Sequence, residues 1–457
     1  MAIEERQEPA RLSPEHTKII FNAMSASSST PRNLANDIPL ISMTNDGSDG
    51  RPGTPFDDTP TAVNSRRQSF SKDVESQNNQ ISVDINDPNR PKIGLRERMH
   101  HFTWAWFTWP MSTGGLSLLI YAQPYQFPGL RQIGFAVYIL NLIIFVTLVA
   151  AMITRFALHK GDLRKSITHP REGFFLPTFF LAVATIITST ERYVVPENDA
   201  PLRAFILIAF WTYLLATLVL AISQYSYIFA HLKIQQHTVM PTLMLPIFPS
   251  MLSGTIASVI AETQPEIAAI PIIVAGLTCQ GLGISVAVLV YAQMIGRLIQ
   301  SDLPNREHRP GLFMNVGPPA FTALAFIGMA NGLPDTFDHK GDGILDANVI
   351  RTLAVIAAIF LWALSLWWWA IGAVAVISSP PKYFHLGWWA MVFPNTGFIL
   401  ATISIAKELQ NVYVLRFTSA LSIILVSTYL YVLVNQIKAF IKQDIMYPGR
   451  DEDVEDH

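Results

Sequence analysis

The sequence has few charged residues and one cysteine. Charged side chains make up 14% of its 457 residues, well below the roughly 25% that is usual for soluble proteins. The formal net charge is −2, so the charge balance indicates no nucleic-acid partner. Cys279 cannot form an intramolecular disulfide bond, and its apolar surroundings favour a small packed side chain.

Hydrophobic residues make up 50% of the chain and concentrate in long apolar runs. Runs of this length with no charged residue predict membrane-spanning helices. No Asp, Glu, Lys or Arg occurs inside any of them. The sequence therefore predicts an all-α membrane protein with ten transmembrane helices, at approximately 102–122, 132–154, 173–189, 204–224, 240–261, 267–294, 311–333, 352–377, 386–405 and 417–437.

Prolines divide these ten segments into two groups. Alternate segments carry a helix-breaking proline beside small polar residues, whereas their partners, apart from the one with Pro271, carry none. A backbone group freed by proline cannot face lipid and must face protein or a water-filled cavity. The pattern predicts an inner ring of five broken helices around a polar path, with five intact helices outside. The prolines concerned are Pro110, Pro177, Pro246, Pro249, Pro318, Pro319 and Pro394.

Such a path would present neutral hydrogen-bonding groups, because hydroxyls, amides and freed backbone groups can replace part of an anion's hydration shell. Small residues of this kind also permit close helix packing without any path, and both interpretations remain open. The candidate path residues are Ser112, Thr113, Gly114, Gly115, Pro177, Ser253, Gly254, Asn315, Pro319, Thr322, Asn395, Thr396 and Gly397.

The apolar segments hold no recognisable catalytic or metal-binding motif. No intramembrane carboxylate relay, metal-ligand cluster, Ser-His-Asp arrangement or glycine-rich phosphate loop can be identified in them. We therefore expect no catalytic residues, no metal and no cofactor, which disfavours an intramembrane enzyme.

Both ends of the chain differ from the apolar part. Residues 1–95 are rich in polar residues and proline, which predicts a disordered tail, and residues 443–457 form an acidic second tail. These boundaries leave a transmembrane domain at 96–442. Arg66-Arg67-Gln68-Ser69 resembles a basophilic kinase site, so Ser69 is a candidate phosphorylation site.

The distribution of Lys and Arg predicts the orientation of the chain in the membrane. Basic residues collect before the first segment and in alternate loops, including the loop 155–171, whereas the opposite loops are acidic. Because basic loops stay in the cytoplasm, both termini are expected to be cytoplasmic.

Two motifs resemble one known family. HFTWAWF at 101–107, followed by MSTGG at 111–115, is similar to the first span of fungal malate permeases, and WWAMVFPNTGF at 388–398 is similar to their ninth. These permeases belong to the tellurite-resistance/dicarboxylate transporter family, together with bacterial TehA, plant slow anion channels and fungal sulfite exporters. The resemblance covers about residues 95–440.

The resemblance implies a fold and a function. It implies five helical hairpins in a quasi-five-fold array around a central pore, a homotrimer with one pore per protomer, and Phe393 as the gate. It also implies plasma-membrane transport of malate and related four-carbon dicarboxylates such as succinate and fumarate, carried as the monoanion with a proton. Membrane lipids would surround the helices.

Two alternatives stay open beside dicarboxylate transport. The first is an anion channel or sulfite exporter of the same family. The second is a membrane sensor or scaffold whose N-terminal tail carries the function.

Overall fold

The computed structural model describes residues 91–196, 199–334, 337–338, 340–344 and 346–448. All of them belong to the unit Val83–His457. The predicted tail over residues 1–90, including Ser69, lies outside the described residues.

The regular secondary structure of the described residues is helical, apart from one isolated bridge between Asp338 and Asp346. Two short helices, Leu95–His100 and Asp162–Thr168, accompany ten longer ones. In chain order the longer helices are α1 (Thr108–Ala122), α2 (Leu130–Leu158), α3 (Leu176–Tyr193), α4 (Ala200–His231), α5 (Phe248–Ile260), α6 (Glu266–Ser301), α7 (Gly317–Asn331), α8 (Ala347–Ser378), α9 (Phe393–Glu408) and α10 (Val412–Lys442).

Eight helical segments in the described part of the chain are long and apolar enough to cross a membrane, so the chain is a multi-pass, all-helical membrane protein. The predicted spans 102–122 and 240–261 are not among the eight. Their α-helices, α1 and α5, contain only 15 and 13 residues. At 1.5 Å per residue they are about 20–23 Å long, shorter than the ~30 Å hydrocarbon core of a bilayer.

The odd-numbered helices contact one another in a closed cycle, in the order α1, α3, α5, α7, α9 and back to α1. Most of their side chains are buried. We call them the inner helices.

The even-numbered helices, which we call the outer helices, each pack across two neighbouring inner helices. They leave large apolar side chains exposed, among them Ile143 (59%), Val219 (65%) and Phe360 (79%). Such a surface is stable against lipid tails and costly against water. The outer surface therefore fits a membrane environment.

The prolines of the inner helices lie where these helices begin. Pro177, Pro249, Pro318 and Pro394 occupy the first turn of α3, α5, α7 and α9, and Pro110 is the third residue of α1. The sequence predicted inner spans that are broken at these prolines. The structure places each of them in the first turn of an α-helix, where a proline removes no hydrogen bond from the helical ladder.

Each inner helix instead follows a 3₁₀ segment, and the change from 3₁₀ to α geometry is the irregular point of the backbone. An interior α-helical proline does occur in an outer helix, at Pro271 of α6. The five 3₁₀ segments are Trp104–Phe107, Glu172–Phe175, Pro241–Met244, Arg306–Val316 and Leu386–Met391.

Described residues on both sides of the predicted transmembrane domain 96–442 contact its helices. The backbone N–H of Ile93 donates to Oε1 of Gln443 at 3.0 Å, and Nη2 of Arg98 donates to the carbonyl of Phe440 at 2.9 Å. Ile445 and Met446 are buried. These apolar residues just after 442 therefore pack with the helices.

Candidate functional site

A vestibule of about 520 Å³ opens at the amino-terminal ends of the inner helices. The loop after α4 and the segments that lead into α3, α7 and α9 line it. Titratable side chains stand around it, and two of them, Arg171 and Lys233, are cations; the others are Glu307, His308 and His385.

A small cavity lies directly beyond the vestibule. The two share Phe175, Met314 and Gly387 in their walls, so they are contiguous. The second cavity measures about 20 Å³, which is room for a single water molecule. We call it the lower cavity. Its hydroxyl-bearing residues are Thr108 and Thr178.

An upper cavity, also of about 20 Å³, lies further along the same axis. All five inner helices contribute to its wall, through residues that include Gly115, Thr185, Thr255, Phe321 and Thr396. The described residues that line the two small cavities are all uncharged. Residues near the start of each inner helix line the lower cavity and later residues the upper one, so the inner helices run parallel along one axis.

Phe393 separates the two small cavities, because its side chain lines both. It is 1% exposed. Its ring stacks on Phe321 with centroids 5.0 Å apart, and the ring of Phe248 lies 6.2 Å from it. These three residues, from α9, α7 and α5, form a phenylalanine cluster between the two small cavities.

Two glycines leave room for this cluster. A Cβ atom on Gly115 would lie 2.9 Å from Oγ1 of Thr396 and 3.2 Å from Cδ2 of Phe393. A Cβ atom on Gly397 would lie 2.6 Å from Cε2 of Phe321. Side chains at these positions would collide with the rings or their neighbours, so both glycines are required by close approach.

Four threonines line the upper cavity. The hydroxyls of Thr185 and Thr188 donate to carbonyls of their own helix at 2.8 Å, and Thr396 does the same to Phe393. The buried hydroxyl of Thr255 has no hydrogen-bond partner among the described residues. Because a hydroxyl rotates and carries two lone pairs, these groups can turn toward a ligand in the cavity.

The structure divides the predicted path residues into three groups. Gly115, Phe393 and Thr396 lie on the axis. Thr113 and Thr322 instead hydrogen-bond outer helices, through Tyr429 at 2.9 Å and Gln280 at 2.8 Å. The other predicted residues line neither cavity, and they are Ser112, Gly114, Pro177, Ser253, Gly254, Asn315, Pro319, Asn395 and Gly397.

Some of these remaining residues have identifiable contacts. Gly114 and Gly254 allow close approach of Thr185 and Gln280. Nδ2 of Asn395 donates to the carbonyl of Met391 at 2.7 Å. The buried polar side-chain atoms of Ser112, Ser253 and Asn315 have no hydrogen-bond partner in the described part of the chain.

Sequence reasoning missed Phe248, Phe321 and three of the four threonines. One signal could have found Phe248, because Phe248-Pro249 at the start of α5 repeats the Phe393-Pro394 pair at the start of α9. Thr185 and Thr188 are three residues apart and therefore share one helical face.

A buried ion pair stands beside the entrance to the path. Arg155 of α2 pairs with Glu172, where the 3₁₀ segment before α3 begins, and both side chains are 7% exposed. The hydroxyl of Ser166 donates to Oε1 of Glu172 at 2.7 Å and accepts from Nε1 of Trp104 at 2.8 Å. This network holds the start of α1, the end of α2 and the start of α3 together.

The outer surface is apolar, and the inner cycle of helices encloses a series of cavities along one axis. These two features are typical of a multi-pass membrane transport protein. The model of the voltage-dependent anion channel family, SLAC1, matches residues 101–437. The chain belongs to this family.

Similar proteins occur in fungi. The malic acid transport protein of Schizosaccharomyces pombe is 32% identical over 367 residues, covering 79% of this chain and 84% of that protein. A putative malic acid transport protein of the same yeast is 29% identical over 369 residues, covering 80% and 86%. The sulfite efflux pump SSU1 of Arthroderma otae is 26% identical over 322 residues, covering 68% and 84%.

Proposed function

We propose that this protein transports four-carbon dicarboxylates, such as malate, succinate and fumarate, along the axis of its inner helices. The observation that carries the proposal is that the vestibule, the lower cavity and the upper cavity follow one another on that axis. Similarity to malic acid transport proteins over most of the chain supports the substrate class.

We infer ten membrane-spanning helices, arranged as five hairpins in a quasi-five-fold array around a central path. The closed cycle of inner helices supports this arrangement. The short helix α1 gains four residues from the 3₁₀ segment Trp104–Phe107, and together they reach about 30 Å at 1.5 and 2.0 Å per residue. This length matches a bilayer core.

Phe393 is the proposed gate of the path. Its ring fills the axis between the two small cavities, and its neighbours Phe321 and Phe248 hold it in place. A dicarboxylate passes only after this ring has moved. The threonine hydroxyls beyond it then replace part of the hydration shell of the anion.

The uncharged wall favours the monoanion over the dianion. Desolvation cost rises with the square of the charge, and the two small cavities offer no fixed cation to offset it. A dicarboxylate that enters with one bound proton therefore meets a lower barrier. Arg171 and Lys233 at the vestibule raise the local concentration of anions before this step.

The proposed setting is the plasma membrane, with the vestibule and both termini on the cytoplasmic side. The basic loop 155–171 supports this orientation, because it leads into the vestibule wall. Membrane lipid would cover the outer helices, and a homotrimer is the expected assembly by family resemblance.

Sulfite export is the second candidate function, because sulfite efflux pumps are also similar to this chain. A sensor or scaffold that depends on the N-terminal tail is the third. Neither of these two functions requires the protein to prefer dicarboxylates over other anions.

Uptake of labelled malate into proteoliposomes, at two pH values and against unlabelled competitors, tests the proposal. We expect succinate and fumarate to compete better than sulfite or monocarboxylates. We also expect faster uptake as the pH approaches about 4, where carboxyl groups gain protons. Deletion of residues 1–90 should leave uptake unchanged. Stronger competition by sulfite would favour the sulfite exporter, and absence of all flux would favour the scaffold.

A further inference from the structure

His100, His159 and Asp162 form a cluster outside the transport path. Each residue offers one possible ligand atom, and the three atoms lie within 4.8 Å of one another. Nε2 of His100 is 3.3 Å from Oδ2 of Asp162, and the rings of the two histidines stand at right angles with centroids 4.8 Å apart. His100 is exposed and Asp162 is buried.

The local backbone brings these side chains together. His159 follows α2, and the backbone N–H of Asp162 donates to the His159 carbonyl at 3.2 Å. Gly161 completes this turn with a φ of +94°, a conformation that suits glycine. The short helix Leu95–His100 ends against the same turn. Buried Nε2 of His159 has no hydrogen-bond partner among the described residues.

We propose that these three residues bind a divalent transition metal ion, with Zn²⁺ as the best match. Two imidazole nitrogens and one carboxylate oxygen are ligands that Zn²⁺ accepts. With metal–ligand bonds of 2.0–2.2 Å, tetrahedral ligand atoms lie about 3.3 Å apart. His100 and Asp162 already have this separation, and His159 needs a side-chain adjustment of about 1–2 Å by the same geometry. A water molecule would take the fourth position.

The bound ion would join the segment before α1 to the connection between α2 and α3. Arg155, one helical turn before His159, pairs with Glu172 at the entrance to the path. The site therefore stands next to the network that positions the starts of α1 and α3, and its occupancy would stabilise that end of the protein.

Zn²⁺ binding to the purified, tag-free full-length protein tests the inference. We expect one high-affinity Zn²⁺ per chain by elemental analysis after equilibrium dialysis, and a rise in Tm of about 2–4 °C at saturating Zn²⁺. The Co²⁺-loaded protein should show the visible absorption of a four-coordinate site. His159→Ala and Asp162→Asn should each lower the affinity at least about tenfold.

His100→Gln provides a variant that keeps the fold, because His100 is exposed and only its ring reaches the cluster. It should also lose at least about tenfold in affinity. His231→Ala is the matched control, because it removes an exposed histidine outside the cluster. The inference is overturned if the wild type binds no Zn²⁺ stoichiometrically, or if His100→Gln binds as tightly as His231→Ala.

Discussion

Gly115 and Phe393 meet at the point where the axis is closed. The missing side chain of Gly115 leaves space for the ring of Phe393 and for Thr396. Phe393 in turn is held by the rings of Phe321 and Phe248. The closure therefore depends on the fit of several uncharged side chains, and a single added methyl group should disturb it.

Gly115→Ala should destabilise the protein by about 1–3 kcal/mol, because the added methyl overfills a packed site. In a Phe393→Ala background the contact with the ring is gone and the one with Thr396 remains, so the cost should be smaller than in the wild type but not abolished. Thermal unfolding of the two single variants and the double variant measures this coupling. Gly281→Ala is the control, because no atom lies within 4 Å of its added Cβ, and it should be neutral or slightly stabilising. Equal costs of Gly115→Ala in both backgrounds would contradict the proposed contact.

The sequence predicts only part of the site at this scale. Gly115, Phe393 and Thr396 were predicted because they belong to two motifs, one in the first half of α1 and one at the start of α9. Thr113 and Thr322 line neither small cavity, and the sequence could not show this because small polar residues on different faces of one helix look alike in sequence. Their hydroxyls bond outer helices, which is the packing role that the sequence analysis left open.

The apolar pattern of the sequence predicts the positions of the helices closely. It does not predict their lengths or their 3₁₀ segments. The outer helices were predicted well because a long uninterrupted apolar run has one stable structure in lipid. Each inner helix is preceded by a 3₁₀ segment that hydropathy does not reveal. Pro249 and Pro394 predicted a break in their spans, and the structure places each in the first turn of the α-helix that follows a 3₁₀ segment.

The buried Arg155–Glu172 pair should determine how α2 meets the start of α3. Glu172→Gln leaves a buried arginine without its counter-charge, so we expect a loss of about 3–5 kcal/mol in unfolding free energy. The control is Glu262→Gln, because Glu262 pairs with Arg192 at 3.7 Å and its side chain is 64% exposed. That variant should lose less than about 1 kcal/mol. Chemical unfolding in detergent measures both, and similar losses would contradict a special role for the buried pair.

At the scale of the whole molecule, charge and hydrophobicity are separated by position. Exposed apolar residues cover the outer helices, uncharged residues line the narrow part of the axis, and charged residues stand at the vestibule. In the proposed function, this separation would admit an anion to a low-dielectric path without a fixed charge to hold it tightly. The sequence predicted the separation from the absence of charge in its spans, but it could not reveal that the axis is closed in this conformation.

The most direct test of the proposed path is malate flux through Phe393→Ala in proteoliposomes, at matched amounts of folded protein. Removing a side chain that closes the axis should lower the barrier by at least about 1.4 kcal/mol, which is a tenfold rise in flux. Phe210→Ala is the control, because Phe210 is fully buried on α4 and lines neither small cavity. Unchanged or lower flux in Phe393→Ala, or an equal rise in both variants, would contradict the account.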